Sequence, residues 1–460
     1  MTFSVADKHV VVVGGGRSGI AASELLASRG ARVTLSDAGM DPTPHDGRLR
    51  ALGVDIERGP HRRALLTSAD LVVLSPGVPA THEAILAARE RGIPVMGEVE
   101  LASRWLVGRI VAITGTKGKS TTTTLTARIL EAGGFAVTAG GNLGTALSEQ
   151  VPASAPDVVH VVEVSSFQLE GTDTFHPWIA VLVNLSPDHL DRHGTFDAYG
   201  AAKARVFKNQ VGDDWAIVNA DDPASVALAS GARSRRFDFA LDADIQSGIT
   251  VEGEYIVERR NGISTPLVPV AAVQVAGRHL LADVLAAVGV GVIAGVTPAD
   301  MARAIAAFNG LEHALERVAD LHGVRFVNDS KATNVLAATR AIESFDRDVV
   351  AIMGGRDKAA VFADLRDPLA GRAVAVVTIG EAAPAIEHAL AGVVPTWRAE
   401  SMREAVRRAF VLAPPGGVVL LAPACASFDM FEDYAARGRA FKDAVQLLVN
   451  EIERQRKEER

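Results

Sequence analysis

Two lysines, a serine and two threonines crowd around closely spaced glycines in the stretch Gly115-Thr116-Lys117-Gly118-Lys119-Ser120-Thr121, one residue after the apolar run 110–113. A strand ending at Thr114 and a helix beginning near Lys119 would aim several backbone N–H groups into one concavity, which attracts phosphate. Gly115 and Gly118 permit the backbone angles and the close approach of a ligand. In such a loop Lys119 reaches the β- and γ-phosphates of a nucleotide and Ser120 ligates Mg²⁺. The usual spacing is G-x-x-x-x-G-K-[ST]. Here Ile113 stands where its first glycine belongs, so the loop is a short form. The bland reading is a glycine turn with a capping serine. Glycine, lysine and hydroxyl at this spacing, between strand and helix, disfavour it.

A second glycine cluster, Gly14, Gly16 and Gly19, satisfies G-x-G-x-x-G between an apolar run and a helical pattern, and Asp37 closes the next strand-like run. That is a dinucleotide fingerprint in its proper context. A helix N-terminus there also suits the diphosphate of a nucleotide sugar. Three further residues stand at or after strand-like runs: Glu163 in "DVVHVVEV", His189 in "SPDHLDRH" and Lys203 in "YGAAKARVF". Glu163 closing so apolar a run wants a partner, and a metal is a natural one. Histidine is an unusual ligand for hard Mg²⁺, and lysine cannot ligate it as an ammonium. Taken singly, the three read as a strand-end acid, a loop histidine and a surface lysine.

The elements that must position these groups follow one rhythm. Short β-branched runs alternate with Ala/Leu-rich helical patterns, the mark of parallel α/β units. In such sheets ligands bind beyond the carboxyl ends of the strands, where most of these polar clusters fall. The rhythm restarts near Gly97 and near Gly310. With 460 residues, the chain exceeds one ordinary core. Three α/β domains are expected, over 1–97, 98–310 and 311–460. A net charge of −8 argues against a nucleic-acid or anionic-membrane surface. The lone cysteine, Cys425, excludes an internal disulfide and fits a reducing cytoplasm. No signal peptide is read at the N-terminus. The stretch "LLADVLAAVGVGVIAGV" reads as a buried helix rather than a membrane span.

The motifs "GTKGKST", "VEVSSFQLE", "NLSPDHLDRH", "AAKARVF", "FVNDSKATN", "GGRDK" and "PACASFDMF" together resemble the Mur ligase family, ATP-dependent amide-forming enzymes of peptidoglycan assembly. The resemblance covers nearly the whole chain. It implies a Rossmann-like N-terminal domain, a central phosphate-loop ATPase domain and a Rossmann-like C-terminal domain. It also implies ATP, two Mg²⁺ ions, UDP-N-acetylmuramoyl-L-alanine and D-glutamate as ligands, and a cytoplasmic monomer. By the same resemblance Gly115 to Thr121, with Asp329 and Lys331, contact ATP. Ser120, Glu163, His189 and a carbamylated Lys203 serve the metal, and carbamylation removes the objection to lysine. Gly16, Arg17, Ser18, Asp37, Ser75 and Asn142 hold the UDP substrate. Thr333, Lys358, Ser427 and Tyr434 surround D-glutamate. A fixed cation and hydroxyl donors suit a small dianionic amino acid.

The chain departs from the family pattern at several positions. Lys117 stands where the family loop usually has asparagine. "GRHLLAD" keeps His279 but has Leu280 and Asp283 at asparagine positions. "GLEHALE" follows His313 with Ala314 instead of arginine, and Ala38-Gly39 follow Asp37 where the family often has a polar pair. These changes bear on nucleotide and uracil affinity more than on reaction type. A sibling ligase using another amino acid, a non-catalytic nucleotide-binding protein and a dehydrogenase are the competing readings. The full ATP apparatus argues against the dehydrogenase.

Overall fold

The computed structural model describes residues 3–274, 277–357 and 360–458. They form two compact units, Met1–Phe308 and Asn309–Arg460. The first unit holds two sheets. Strands β1 (His9–Val13), β2 (Arg32–Asp37), β3 (Asp55–Arg58), β4 (Leu71–Leu74) and β5 (Val95–Gly97) pair in parallel in the order β3-β2-β1-β4-β5. The order reverses between β1 and β4, which opens a crevice at their carboxyl ends. The first glycine turn follows β1 and Ser75 follows β4, so both stand at that crevice.

The second sheet contains β6 (Arg109–Thr114), β7 (Ala136–Gly141), β8 (Val158–Glu163), β9 (Ile179–Leu182), β10 (Trp215–Asn219), β11 (Arg235–Phe239), β12 (Ser247–Glu252), β13 (Tyr255–Arg260) and β14 (Ile263–Pro269). Its order is β14-β13-β12-β11-β10-β9-β6-β8-β7. The strands from β7 across to β12 run parallel, and β13 and β14 add an antiparallel edge. Central β6 is an almost wholly buried apolar run, as a strand covered on both faces requires. It delivers the phosphate loop to the middle of the sheet, between the loops after β8 and β9. The helix Lys119–Ala132 follows directly. Behind it packs the helix Arg278–Ala294, buried along its middle, as the apolar stretch predicts.

The second unit is one sheet of β15 (Glu316–Leu321), β16 (Val324–Asn328), β17 (Val349–Gly354), β18 (Ala373–Ile379), β19 (Thr396–Arg398) and β20 (Val418–Leu421), in the order β15-β16-β20-β17-β18-β19. All pairs are parallel except the β15–β16 hairpin. Apolar clusters cover both faces. The loops after β16, β17 and β20 therefore emerge side by side. The last helix, Tyr434–Glu458, carries the charged C-terminal stretch. No described helix is long and apolar enough to cross a membrane.

Candidate functional site

The strand β6 ends at Thr114 and the next helix opens at Lys119, with Gly118 in the left-handed region (φ 82°) as its N-cap. The first N–H groups of that helix lack intrahelical acceptors and point into the loop. Asn184, just after β9, braces the loop from the side. Its Oδ1 accepts from Thr116 N at 3.2 Å and Lys117 N at 2.9 Å, and its Nδ2 donates to Lys117 O at 3.0 Å. Lys119 Nζ folds back to Thr116 O at 2.9 Å. Tyr199 joins from the helix Phe196–Ala204, its hydroxyl 3.1 Å from Thr116 Oγ1. From behind, the buried Asp283 presses its carboxyl against Gly118: a Cβ added there would lie 2.1 Å from Asp283 Oδ1. Burial raises the Asp283 pKa to about 7.

Glu163 ends β8 and is buried beside the loop. Its Oε2 accepts from Ser120 Oγ at 2.7 Å, and its Oε1 accepts from Asn142 Nδ2 at 2.7 Å. Hydroxyl and carboxylate oxygens meeting at the first turn of a phosphate-loop helix are a hard donor set of the kind Mg²⁺ prefers, so the residues present fit that ion. Asn142 follows β7, and Arg17 Nη2 reaches its carbonyl at 3.3 Å. Arg17 opens the helix after the first glycine turn. A chain of contacts thus runs from that turn through Asn142 and Glu163 to Ser120.

Lys203 is not a surface lysine. It is about 1% exposed and donates to Gly115 O at 2.7 Å, with the Tyr199 ring 4.8 Å away. Burial, reinforced by the Lys119 charge, lowers its pKa to about 7. His189 instead stands in solvent, at the N-cap of the short helix Leu190–His193 with φ 52°. Its ring packs 4.9 Å from that of Phe167 and 6.5 Å from that of Tyr199. The structure thus brings Ser120, Glu163 and Asn142 together and sets Lys203 beneath the loop. His189 stands to one side and, among the described residues, makes no hydrogen bond to any of them. No cluster of three His, Cys, Asp or Glu suited to a metal occurs among the described residues.

At the first sheet, Ser75 Oγ donates to Gly14 O at 2.8 Å beneath the glycine turn. A Cβ on Gly19 would fall 1.9 Å from that carbonyl, so the third glycine is needed for helix and strand to approach. Nothing lies within 4 Å of the Cβ position of Gly16, which leaves that face of the turn open. Asp37 accepts from Gly15 N, from Gly39 N at 2.9 Å and from Arg58 Nη1 at 3.1 Å. Since an ionised carboxylate has about four acceptor positions, it retains capacity for a ligand N–H. Ser18 is half-buried in the same turn.

In the second unit, Asp329 follows β16 and accepts from Leu315 N at 3.2 Å. Burial raises its pKa to about 6. Lys331 is exposed, and its N–H donates to His313 O at 3.0 Å. Thr333 is half-buried, Ser427 is buried and Tyr434 is partly exposed. Lys358 lies outside the described residues. What the sequence did not single out is Arg437, fully buried in the last helix. Its guanidinium donates to Ser330 Oγ at 3.0 Å and Ser330 O at 2.9 Å, to Cys425 O at 3.0 Å and to Gly354 O at 3.4 Å. One side chain therefore ties together the loops after β16, β17 and β20. Burial lowers its pKa to about 10. Gly438 lets the His313 ring pack against the same helix, since a Cβ there would lie 2.2 Å from His313 Nδ1.

A phosphate loop of short form, a second glycine turn and a third, mostly parallel sheet define an α/β architecture with two phosphate-type turns. Family models match all three parts: the Mur ligase middle domain over residues 113–291, the "Mur ligase MurD-like, N-terminal domain" over 8–97 and the "Mur ligase, glutamate ligase domain" over 313–425. The chain belongs to the Mur ligase family, whose members use ATP and Mg²⁺. Among curated relatives it is 43% identical to the UDP-N-acetylmuramoylalanine–D-glutamate ligase of Koribacter versatilis, over 97% of this chain and 99% of that protein. It is 46% identical to the enzyme of the same name from Acidobacterium capsulatum, over 95% and 96% of the two chains. The fold is also that of solved family members. The UDP-N-acetylmuramate-alanine ligase of Thermotoga maritima matches with a TM-score of 0.55 at 19% identity, over 95% of this chain and 99% of that one. A pseudomurein peptide ligase type C from Methanothermus fervidus matches at 0.53 and 15% identity, over 96% and 100%.

Proposed function

We propose that the chain joins D-glutamate to UDP-N-acetylmuramoyl-L-alanine at the expense of ATP, a step of peptidoglycan precursor synthesis. The observation that carries this reading is the near full-length identity to ligases of that name, 43% over 97% of the chain. The contacts from Arg17 through Asn142 and Glu163 to Ser120 support it, because they join the two glycine turns that hold the two nucleotides in this reading.

The alanyl carboxylate attacks the γ-phosphorus of ATP, and the bond from phosphorus to the ADP oxygen breaks. Lys119 and the N–H groups of the loop hold the phosphates in line and stabilise charge on the transferring oxygens. Ser120 and Glu163 would hold Mg²⁺, which when bound neutralises phosphate charge. The D-glutamate amine then attacks the acyl carbon of the acyl phosphate. The tetrahedral adduct expels phosphate, the amine proton is lost and an amide remains. Thr333, Lys358, Ser427 and Tyr434 orient the amino acid, and Asp329 and Lys331 contact the nucleotide. Gly16, Arg17, Ser18, Asp37 and Ser75 hold the UDP group.

Lys203 in this proposal is carbamylated: Nζ adds to CO₂, a proton leaves, and an anionic oxygen pair replaces a buried cation that has no carboxylate hydrogen bond among the described residues. The modified side chain would serve a second Mg²⁺ with His189. The division into a UDP-binding stretch 1–97, an ATP-binding stretch 98–310 and an amino-acid-binding stretch 311–460, acting as a cytoplasmic monomer, belongs to the same proposal. Incubation with ATP, Mg²⁺ and UDP-N-acetylmuramoyl-L-alanine tests it. Phosphate release and a new amide product should depend on D-glutamate and not on L-glutamate or D-lysine. Product with either of those alone would assign the chain to a different ligase activity.

A further inference from the structure

The turn that carries His189 is held in place by a residue from its own short helix. Arg192 donates to Pro76 O at 2.8 Å and Val78 O at 3.4 Å, both in the loop after β4. It also pairs with Glu170 at 3.4 Å and lies over the face of Phe167 at 4.2 Å. The next residue, His193, is anchored to Ser166 at 3.0 Å and Glu170 at 3.1 Å, and its ring stacks on the same Phe167. His189 adopts a left-handed backbone, which a non-glycine residue keeps only where its surroundings hold it. Around it the His189 ring packs tilted against Phe167 and the His193 ring stacks on Phe167, with Arg192 over the same ring. The loop that Arg192 bonds to begins immediately after Ser75. Between loop and stack remains a cavity of about 20 Å³, lined by Ser75, Pro76, Glu98, Phe167 and Arg192 among others. That is room for about one water molecule, so Arg192 meets the loop directly rather than facing space for a ligand.

We propose that Arg192 is a positioning residue that couples the UDP-sugar loop to the His189 turn, so that occupancy of the UDP-sugar site tightens binding of the Mg²⁺–nucleotide. The inference rests on the ligase reading above for the identity of the two ligands. A charged guanidinium bonded to two carbonyls and stacked on an aromatic ring is a stiff link, because its geometry is planar and its donors are fixed. Methionine at the same place keeps the packing on Phe167 and loses both carbonyl bonds. Lysine restores the charge and one donor.

The test uses the full chain carrying Arg192→Met or Arg192→Lys. The affinity for a Mg²⁺-bound non-hydrolysable ATP analogue is measured by calorimetry with and without UDP-N-acetylmuramoyl-L-alanine. Steady-state rates are measured alongside. In the unsubstituted protein the UDP-sugar should tighten the analogue severalfold. In Arg192→Met the analogue alone should bind as before and the tightening should vanish. Its kcat should fall by about 10- to 100-fold, the loss expected for about one charge-assisted hydrogen bond, since only the bond to Pro76 O is short, with KM for the UDP-sugar raised and KM for D-glutamate unchanged. Arg192→Lys should recover part of both effects. Coupling and kcat both intact in Arg192→Met would overturn the proposal, as would a lowered melting temperature with unchanged coupling. Arg192→Lys with intact coupling and no kinetic change would also overturn it should the methionine variant fail to fold. If the unsubstituted protein binds both ligands with coupling but forms no amide, the ligase reading fails and the role of Arg192 stands.

Discussion

Replacing Asp283 by asparagine removes a carboxyl that is about 2% exposed and pressed against Gly118 of the phosphate loop. Burial raises its pKa from 3.8 to about 7. Between those values the native chain keeps a proton that the unfolded chain has released, so stability falls as pH rises through this window and levels off above it. A shift of about 3 units corresponds to about 4 kcal/mol. Asparagine keeps the shape and does not titrate. Asp283→Asn should therefore match the parent protein near about pH 4 and exceed it by up to about 4 kcal/mol at about pH 8. The same charge opposes phosphate. For an effective dielectric of about 20, a charge pair set at about 8 Å would be worth about 2 kcal/mol, or about 30-fold in nucleotide Kd. Urea unfolding across pH, with ATP-analogue titrations at both ends, reads both effects. Parallel stability curves for the two proteins would refute the assignment of a buried, proton-holding Asp283.

Lys119→Ala should lower kcat by about a thousandfold, the loss typical of a donor facing developing charge, while circular dichroism stays unchanged. Lys203→Ala should be nearly inactive, and acetate or formate should partly restore turnover by occupying the vacated oxygen positions; full activity without rescue would exclude an essential carbamate. Arg437→Met strands three carbonyls at about 2 kcal/mol each. That loss is offset by about 3 kcal/mol for a guanidinium whose pKa burial has lowered from 12.5 to about 10. A net loss of about 3 kcal/mol should appear in denaturant unfolding, with KM for D-glutamate raised more than KM for ATP.

The parts of the site that one stretch of chain builds by itself were legible in the sequence. The phosphate loop is such a part: a buried strand, two glycines and a helix start fix where Lys119 and Ser120 stand, whatever surrounds them. Glu163 was legible as a charge ending an apolar strand. The burial of Lys203 was not legible, because "YGAAKARVF" gives no sign that this lysine turns inward under Gly115, and the role proposed for it came from the family resemblance. The residues missed act across long separations. Asn184 and Tyr199 reach the loop from segments after β9, and their signal lies only in the polar residues crowded there. Arg437 was hidden for another reason: an arginine in a helix rich in charge reads as solvent-facing. Small neighbours in "YAARGRA" are the one local hint that this face is packed closely. Asp283 stood out as a departure from pattern, but only the fold puts it behind Gly118.

The central claim is that ATP activates the alanyl carboxylate through an acyl phosphate. It is tested by following the carboxylate oxygen. UDP-N-acetylmuramoyl-L-alanine labelled with ¹⁸O in that carboxylate is turned over with ATP, Mg²⁺ and D-glutamate, and the released phosphate is analysed by mass spectrometry. The mechanism predicts one labelled oxygen in each phosphate formed together with amide. Unlabelled phosphate accompanying amide formation would mean that the carboxylate was never phosphorylated and would contradict the account.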